Sequence, residues 1–317
     1  MKVMQPGGVT LDIKDVDRFV KKWRPIDGWL IADHSGFVLP THHGVLGHKF
    51  YAAFCRKARI DVVILLACTF LVSVLLQVSN IDDSLKYIVA FDLLFLLAVV
   101  DRVLSILSLK CCKQKVTFIY AFKKAFKKLA EIFVFFFFGI FLLQHYLTDY
   151  FGSFENLVMV AGNYYPNIEL MSSWRFLTGP FIHQDTQHWA LNGTLTLLFA
   201  SFIPQGKKRH LFFLLFVGAV FSHWVTYVVH CFWHTSFDSL VGMSGGAFTL
   251  LAYAIAYYVR LRHFNTVFTL LGIFVLGEFS AGLITINTSH LAHFTGFVVG
   301  ILAGIRWPRS PCQRYRC

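Results

Sequence analysis

Apolar residues along this chain gather into long runs separated by short polar loops. A helix that crosses a bilayer needs about 20 mostly apolar residues. Eight runs approach that length: 60–79, 87–107, 130–147, 188–204, 211–230, 244–259, 264–283 and 291–306. The second is interrupted by Asp92 and Asp101, and an acid inside a span usually faces a bundle interior or a cavity. Asp101, next to Arg102, also reads as boundary charge at the end of its run. Residues 1–58 are polar by comparison. Within them Ile13, Val16, Phe19, Val20 and Trp23 recur at helical spacing opposite Asp15, Arg18, Lys21 and Lys22. Two readings fit that pattern: a helix lying on the membrane surface, or a short helix packed on its own subdomain. The expectation is an all-α polytopic membrane protein, with no internal repeat.

Composition supports that reading. The chain is 56% hydrophobic and 15% charged, against about 25% charged residues in a soluble domain. No positively charged, then apolar stretch ending in small residues opens the sequence, so no cleaved signal peptide is expected. The formal net charge of +12 would suit nucleic acid, but its placement argues otherwise. Lys110, Lys113, Lys115, Lys123, Lys124, Lys127 and Lys128 fall between the second and third runs. Lys207, Lys208 and Arg209, then Arg260 and Arg262, then Arg306, Arg309, Arg314 and Arg316 mark later boundaries. The intervening loops are acidic or nearly neutral. With eight spans, every basic loop falls on one side with both termini, which the positive-inside rule makes cytoplasmic. No nucleic-acid partner is expected, and the lipid bilayer is. Cys55, Cys68, Cys111, Cys112, Cys231, Cys312 and Cys317 match no zinc spacing and suggest free thiols.

Three stretches carry candidate chemistry, each at the predicted outer end of a span. In "HWALN", His188 and Asn192 stand at i and i+4 and share a helix face. Buried polar groups need partners or a wet cavity, and an interhelical polar clasp would serve as well as a functional site. In "GMSGGAF", Ser244 opens a predicted helix between Gly242 and Gly245. A serine there is often a cap, but the free N–H groups of a helix start also stabilise an anion. In "SHLAHFTGFVVG", His293, Gly296 and Gly300 fall on one face of the last span. The glycines allow close helix packing, which would bring His293 toward Ser244. Metal binding by His183, His188, His290 and His293 is disfavoured, because "HLAH" lacks the glutamate of a zinc helix. Asp238 and Glu278 are the only acids after residue 185. That scarcity favours a Ser–His dyad, with no metal and no cofactor.

Taken in order, "WRFLTGPFIHQDTQHWALNG", "GMSG" and "AHFTGFVVG" resemble the rhomboid family of intramembrane serine proteases. The resemblance covers about residues 130–306. It implies a six-helix protease core over 130–306, two additional transmembrane helices and a basic linker over 59–129, a cytoplasmic extension over 1–58 and a basic cytoplasmic tail over 307–317. It further implies Ser244 as nucleophile and His293 as general base, with an oxyanion hole formed by His188, Asn192 and the Ser244 backbone N–H. Trp174 and Arg175 would shape the first outer loop, with His183, His290, Gly242, Gly245, Gly296 and Gly300 supporting. Phe248 stands where the family often has a tyrosine stacked on the catalytic histidine, so the ring face is kept and the hydroxyl is not.

The expected activity is hydrolysis of peptide bonds in or near the transmembrane segments of single-span or polytopic membrane proteins. The active site would face the non-cytoplasmic side. Two other readings stand beside this one. A catalytically inactive rhomboid-like protein that binds membrane clients has no need of Ser244 and His293 together. A transporter or channel would rest on Asp92 and Asp101 alone.

Overall fold

The computed structural model describes residues 1–34, 36–78, 84–168, 172–204, 207–233, 238–284 and 289–306. Each of the eight apolar runs corresponds to one helix: α2 (Gly47–Val78), α3 (Ser84–Ile106), α4 (Leu109–Phe151), α7 (Thr186–Ser201), α8 (Lys208–Trp233), α9 (Ser244–Arg260), α10 (Phe264–Ile284) and α11 (His290–Arg306). The run 188–204 outlasts its helix, which ends at Ser201, and residue 79 lies outside the described residues. Among the described residues, α2 and α8 are long and apolar enough to cross a membrane. The apolar stretch Phe264–Phe279 of α10 and the whole of α11 are shorter. The chain divides into two compact units, one from residues 1–123 and 261–286, the other from 124–260 and 287–308.

The first unit opens with a small antiparallel sheet that the hydrophobic pattern did not announce. Its strands β1 (Lys2–Met4), β2 (Thr10–Asp12), β3 (Leu30–Asp33) and β4 (Gly36–Val38) lie in the order β2-β1-β3-β4. Helix α1 (Val16–Lys22) starts where the Asp15 carboxylate accepts from the Arg18 N–H, an N-cap that satisfies one orphan donor of the first turn. Its apolar face does not lie on a membrane surface. Val20 and Trp23 are buried with Val3, Ile31, Phe50 and Phe54, and the Trp23 ring meets Phe50 edge-on at 5.2 Å. The second reading of this segment, a helix packed on its own subdomain, is therefore the observed one. Cys55, Cys68, Cys111, Cys112 and Cys231 are free thiols. Cys312 and Cys317 lie outside the described residues.

Further along the same unit, Asp101 on α3 is buried rather than a solvated boundary charge. Its carboxylate accepts from Lys115 Nζ at 2.7 Å, from the Thr269 hydroxyl of α10 at 2.7 Å and from Arg102 at 3.2 Å. Asn265 of α10 donates to the Leu104 carbonyl at 3.1 Å, and Gly272 packs its backbone on Leu97. Helix α10 is thus fastened to α3 by polar bonds as well as by apolar contact. Asp92 accepts from Ser73 of α2 at 3.0 Å, so both acids of this apolar run have partners.

In the second unit, α9 is the central helix, packed by α7, α8 and α11. Leu250, Leu251, Ala252 and Ala254 are fully buried. A short strand pair, β5 (Asn163–Tyr164) with β6 (Ser239–Leu240), is antiparallel. It ties the loop after α5 (Phe154–Ala161) to the loop that leads into α9.

Breaking the buried Asp101–Lys115 pair removes the nearer of two cations on that carboxylate and leaves its charge to Arg102 at 3.2 Å, so Lys115→Met is expected to lower stability by about 2 kcal/mol. Adding Asp101→Asn removes that charge and should recover much of the loss. Thermal unfolding of the two variants in detergent checks both statements.

Candidate active site

The start of α9 is set by a turn that only glycine makes easily. Gly242 has φ +102°, a conformation that L side chains rarely adopt. After it, the Met243 carbonyl accepts the first helical bond, from the Ala247 N–H at 3.2 Å. The N–H groups of Ser244, Gly245 and Gly246 therefore lie ahead of the helical ladder, at the end of the helix that carries positive partial charge. Ser244 is the first residue of the helix and is partly exposed.

His293 comes from α11, and the approach of the two helices is unusually close. A Cβ at Gly296 would lie 1.9 Å from the Gly245 carbonyl oxygen, and one at Gly300 would lie 2.2 Å from that of Thr249. Neither position has room for a side chain. The Thr249 hydroxyl sits in the seam, 2.8 Å from the Gly296 carbonyl and 3.0 Å from that of Gly245. With the backbones this near, His293 Nε2 lies 2.8 Å from Ser244 Oγ. The imidazole is covered on one side by the Phe248 ring, with centroids 4.5 Å apart and planes 34° from parallel.

His188 and Asn192 reach the same turn from α7. That helix starts at Asp185, whose carboxylate accepts from the His188 N–H at 2.7 Å. A Cβ on Gly242 would lie 2.7–2.8 Å from the His188 ring and 3.8 Å from the Asn192 amide nitrogen. The Gln184 N–H approaches His188 Nδ1 at 3.4 Å. Nδ1 then accepts, and the ring proton sits on Nε2, beside Gly242. Asn192 Nδ2 donates one hydrogen to the His188 carbonyl at 2.9 Å, which fixes the amide orientation and leaves its second hydrogen to donate elsewhere. Ser244, His293, Phe248, His188, Asn192 and Gly242 are thus brought to one place.

His183 is fully buried, its ring 5.5 Å from that of His188. Gln144 of α4 clamps its backbone from both sides, donating to the carbonyl at 2.6 Å and accepting from the N–H at 2.8 Å. Burial, reinforced by the neighbouring His188, holds the His183 pKa down to about 3, so the ring is neutral. Trp174 is half-exposed just before α6 (Arg175–Thr178), with the Arg175 guanidinium 6.0 Å from its ring. His290 is exposed at the first residue of α11. Among the described residues, no group of three or more His, Cys, Asp or Glu side chains is arranged to hold a metal. The sequence reading missed Gln144, His223 and Asn163. The first two share one signal, a polar side chain inside an apolar run, which in such a setting is rarely idle.

Residues 171–309 match the family model described as Rhomboid domain. No curated protein and no solved structure matches the chain.

Two measurements test this arrangement. A methyl at Gly296 must push α11 off α9, so Gly296→Ala is expected to cost about 3 kcal/mol as overpacking, read as a lowered unfolding midpoint. The buried His183 gives a pH dependence. Its folded pKa of about 3 lies below an unfolded value of about 6.5. Between these limits the unfolded chain binds more protons, so stability falls as pH drops from 6.5 toward 3. His183→Asn, which keeps a donor near the Nδ1 position, should flatten that fall in a series of thermal midpoints.

Proposed function

From a chain that is a rhomboid-family protein through residues 171–309, and with it an integral membrane protein, we propose a serine endopeptidase. It cuts peptide bonds in or near the transmembrane segments of other membrane proteins. The observation that carries this reading is the 2.8 Å hydrogen bond between Ser244 Oγ and His293 Nε2. It lies at the start of a helix, with His188 and Asn192 donors beside it.

The chemistry follows from those positions. The Ser244 hydroxyl donates to His293 Nε2, which holds the ring as its Nδ1–H tautomer and leaves Nε2 able to take the proton. As Oγ attacks the scissile carbonyl carbon, that proton passes to Nε2 and negative charge gathers on the carbonyl oxygen. The Ser244 N–H, His188 Nε2–H and the second Asn192 amide hydrogen are the donors for that charge. Collapse of the tetrahedral intermediate breaks the C–N bond, and the leaving amine takes the proton from His293. Water then attacks the acyl-enzyme with His293 again as base, releasing the acid and restoring Ser244.

The Phe248 ring holds the imidazole in plane throughout, a stacking contact that needs no hydroxyl. The substrate amide must leave its own helical hydrogen bonds to enter, which favours segments that unwind easily. In this reading both termini are cytoplasmic and the site faces the opposite side of the membrane, which the distribution of basic loops supports. The scarcity of acids in the spans accounts for a dyad that lacks a carboxylate.

Ser244→Ala and His293→Ala, purified in detergent and shown to be folded, are expected to lose cleavage of a single-span membrane substrate. Asn192→Ala should keep the fold and lose about 10²–10³-fold in turnover, the usual effect of one missing oxyanion donor. Equal cleavage by wild type and Ser244→Ala would overturn the assignment.

A further inference from the structure

Behind the Ser244 turn a second polar chain runs through the protein interior. His223 of α8 and Asn163 of β5 are both essentially without exposure. His223 Nε2 lies 2.9 Å from the Gly242 carbonyl oxygen, and its Nδ1 is hydrogen-bonded to Asn163 Nδ2. A carbonyl oxygen only accepts, so Nε2 carries the ring proton. An amide nitrogen only donates, so Nδ1 is the bare nitrogen. The two bonds demand the same tautomer. Rotating the Asn163 amide would put Oδ1 against Nδ1, move the proton there and set the Nε2 lone pair against the Gly242 oxygen. With a neutral ring, only this arrangement of the three groups satisfies both bonds.

Gly242 is held at each of its polar atoms. Its N–H donates to the Gly179 carbonyl at 3.4 Å, its carbonyl accepts from His223, and its Cα packs on the His188 ring. Gly179 in turn lies against the Asn163 amide, where a Cβ would come within 2.6 Å of Nδ2. Glycine permits a wide range of ψ, so the Gly242–Met243 peptide would be free to flip without these bonds. A flipped peptide would lose His223 as a partner, and the His188 Nε2–H, whose ring lies against the Gly242 Cα, would be a donor open to its oxygen. That oxygen would then occupy the pocket where the substrate oxyanion forms and add a like partial charge there.

We propose that His223, set as its Nε2–H tautomer by Asn163, is a positioning residue for peptide-bond hydrolysis: it holds the Gly242 carbonyl away from the oxyanion donors and so aligns the Ser244 hydroxyl and N–H. This rests on the protease reading above. His223 touches neither substrate nor Ser244, and it acts through one backbone peptide. The effect belongs to the transition state, because the flipped carbonyl competes with the developing charge and not with the remote parts of the substrate that set binding.

The test uses the full chain in detergent, with a single-span substrate and a fluorophosphonate that labels an activated serine. His223→Leu is expected to lower kcat about 10²-fold, with phosphonate labelling slowed in parallel. KM should change less than about twofold, as for an interaction made only in the transition state. His223→Gln, whose amide nitrogen supplies a donor where Nε2 stood, should return turnover to within about tenfold of wild type. A merely structural role would lower the unfolding midpoint and leave kcat of the folded fraction intact, and that result overturns the inference. Failure of Gln to do better than Leu overturns it as well.

Should His223→Leu not fold, ¹⁵N chemical shifts of histidine-labelled wild type, assigned by difference with His223→Gln, report the tautomer without any catalysis. An Nδ1–H ring or an imidazolium at His223 overturns the proposal. Wild-type protein inert toward both substrate and probe overturns the protease reading on which it rests, whereas active wild type with an unaffected His223→Leu overturns this inference alone.

Discussion

The distance between the backbones of α9 and α11 is the constraint on which the site depends. Ser244 and His293 stand one on each helix, and a hydrogen bond of 2.8 Å between them requires the helix axes to be nearer than ordinary side chains allow. Gly245 and Gly296 meet carbonyl to Cα, and Gly300 meets the Thr249 carbonyl. In lipid, where apolar burial does not drive helices together, such close van der Waals contact and interhelical hydrogen bonds are the available attractions. The Thr249 hydroxyl, shared between carbonyls of the two helices, supplies the second of them. The same packing that holds the bundle therefore fixes the distance between Ser244 and His293.

A second constraint comes from polar groups in an apolar medium. Each buried polar atom costs free energy unless it is paired, and the paired ones here are used to fix geometry. Gln144 closes both hydrogen-bonding groups of the His183 backbone. His223 and Asn163 set each other's orientation through a single tautomer. Asp101 gathers Lys115, Arg102 and Thr269 and so ties α10 to α3. In each set at least one bond joins segments far apart in the chain, and a mispaired alternative would leave a charge or an amide orphaned. Pairing is not complete: Asn163 Oδ1, His183 Nε2 and Asn192 Oδ1 have no partner among the described residues, and the spare amide hydrogen of Asn192 sits beside the Ser244 turn.

Much of this was legible in the sequence, for physical reasons that differ by region. The eight long apolar runs each became a helix, because an isolated run of that length satisfies its backbone within itself and needs no long-range information. The spacing of His188 and Asn192, and of His293, Gly296 and Gly300, placed each set on one helix face for the same reason. The N-terminal sheet was hidden. Its strands have three or four residues, too few for an alternating pattern to show, and their pairing is decided by the contact of Val3 and Ile31 with Phe50 and Trp23. His223 and Asn163 carry no motif. Nothing in their spacing, sixty residues apart, indicates that they meet.

The sequence by itself determined which segments are helices, which of their faces carry glycines and polar groups, and which serine and histidine sit at helix starts. These are local properties, set by hydropathy, periodicity and backbone freedom within a few residues. Only the tertiary structure decided that α9 and α11 approach closely enough for Ser244 to meet His293 and that α10 is fastened to α3 through Asp101. It also decided that the Gly242 carbonyl is held by a histidine from a third helix. Those facts depend on three-dimensional complementarity between distant surfaces, where an ångström of separation decides whether a hydrogen bond exists, and no one-dimensional pattern encodes that distance.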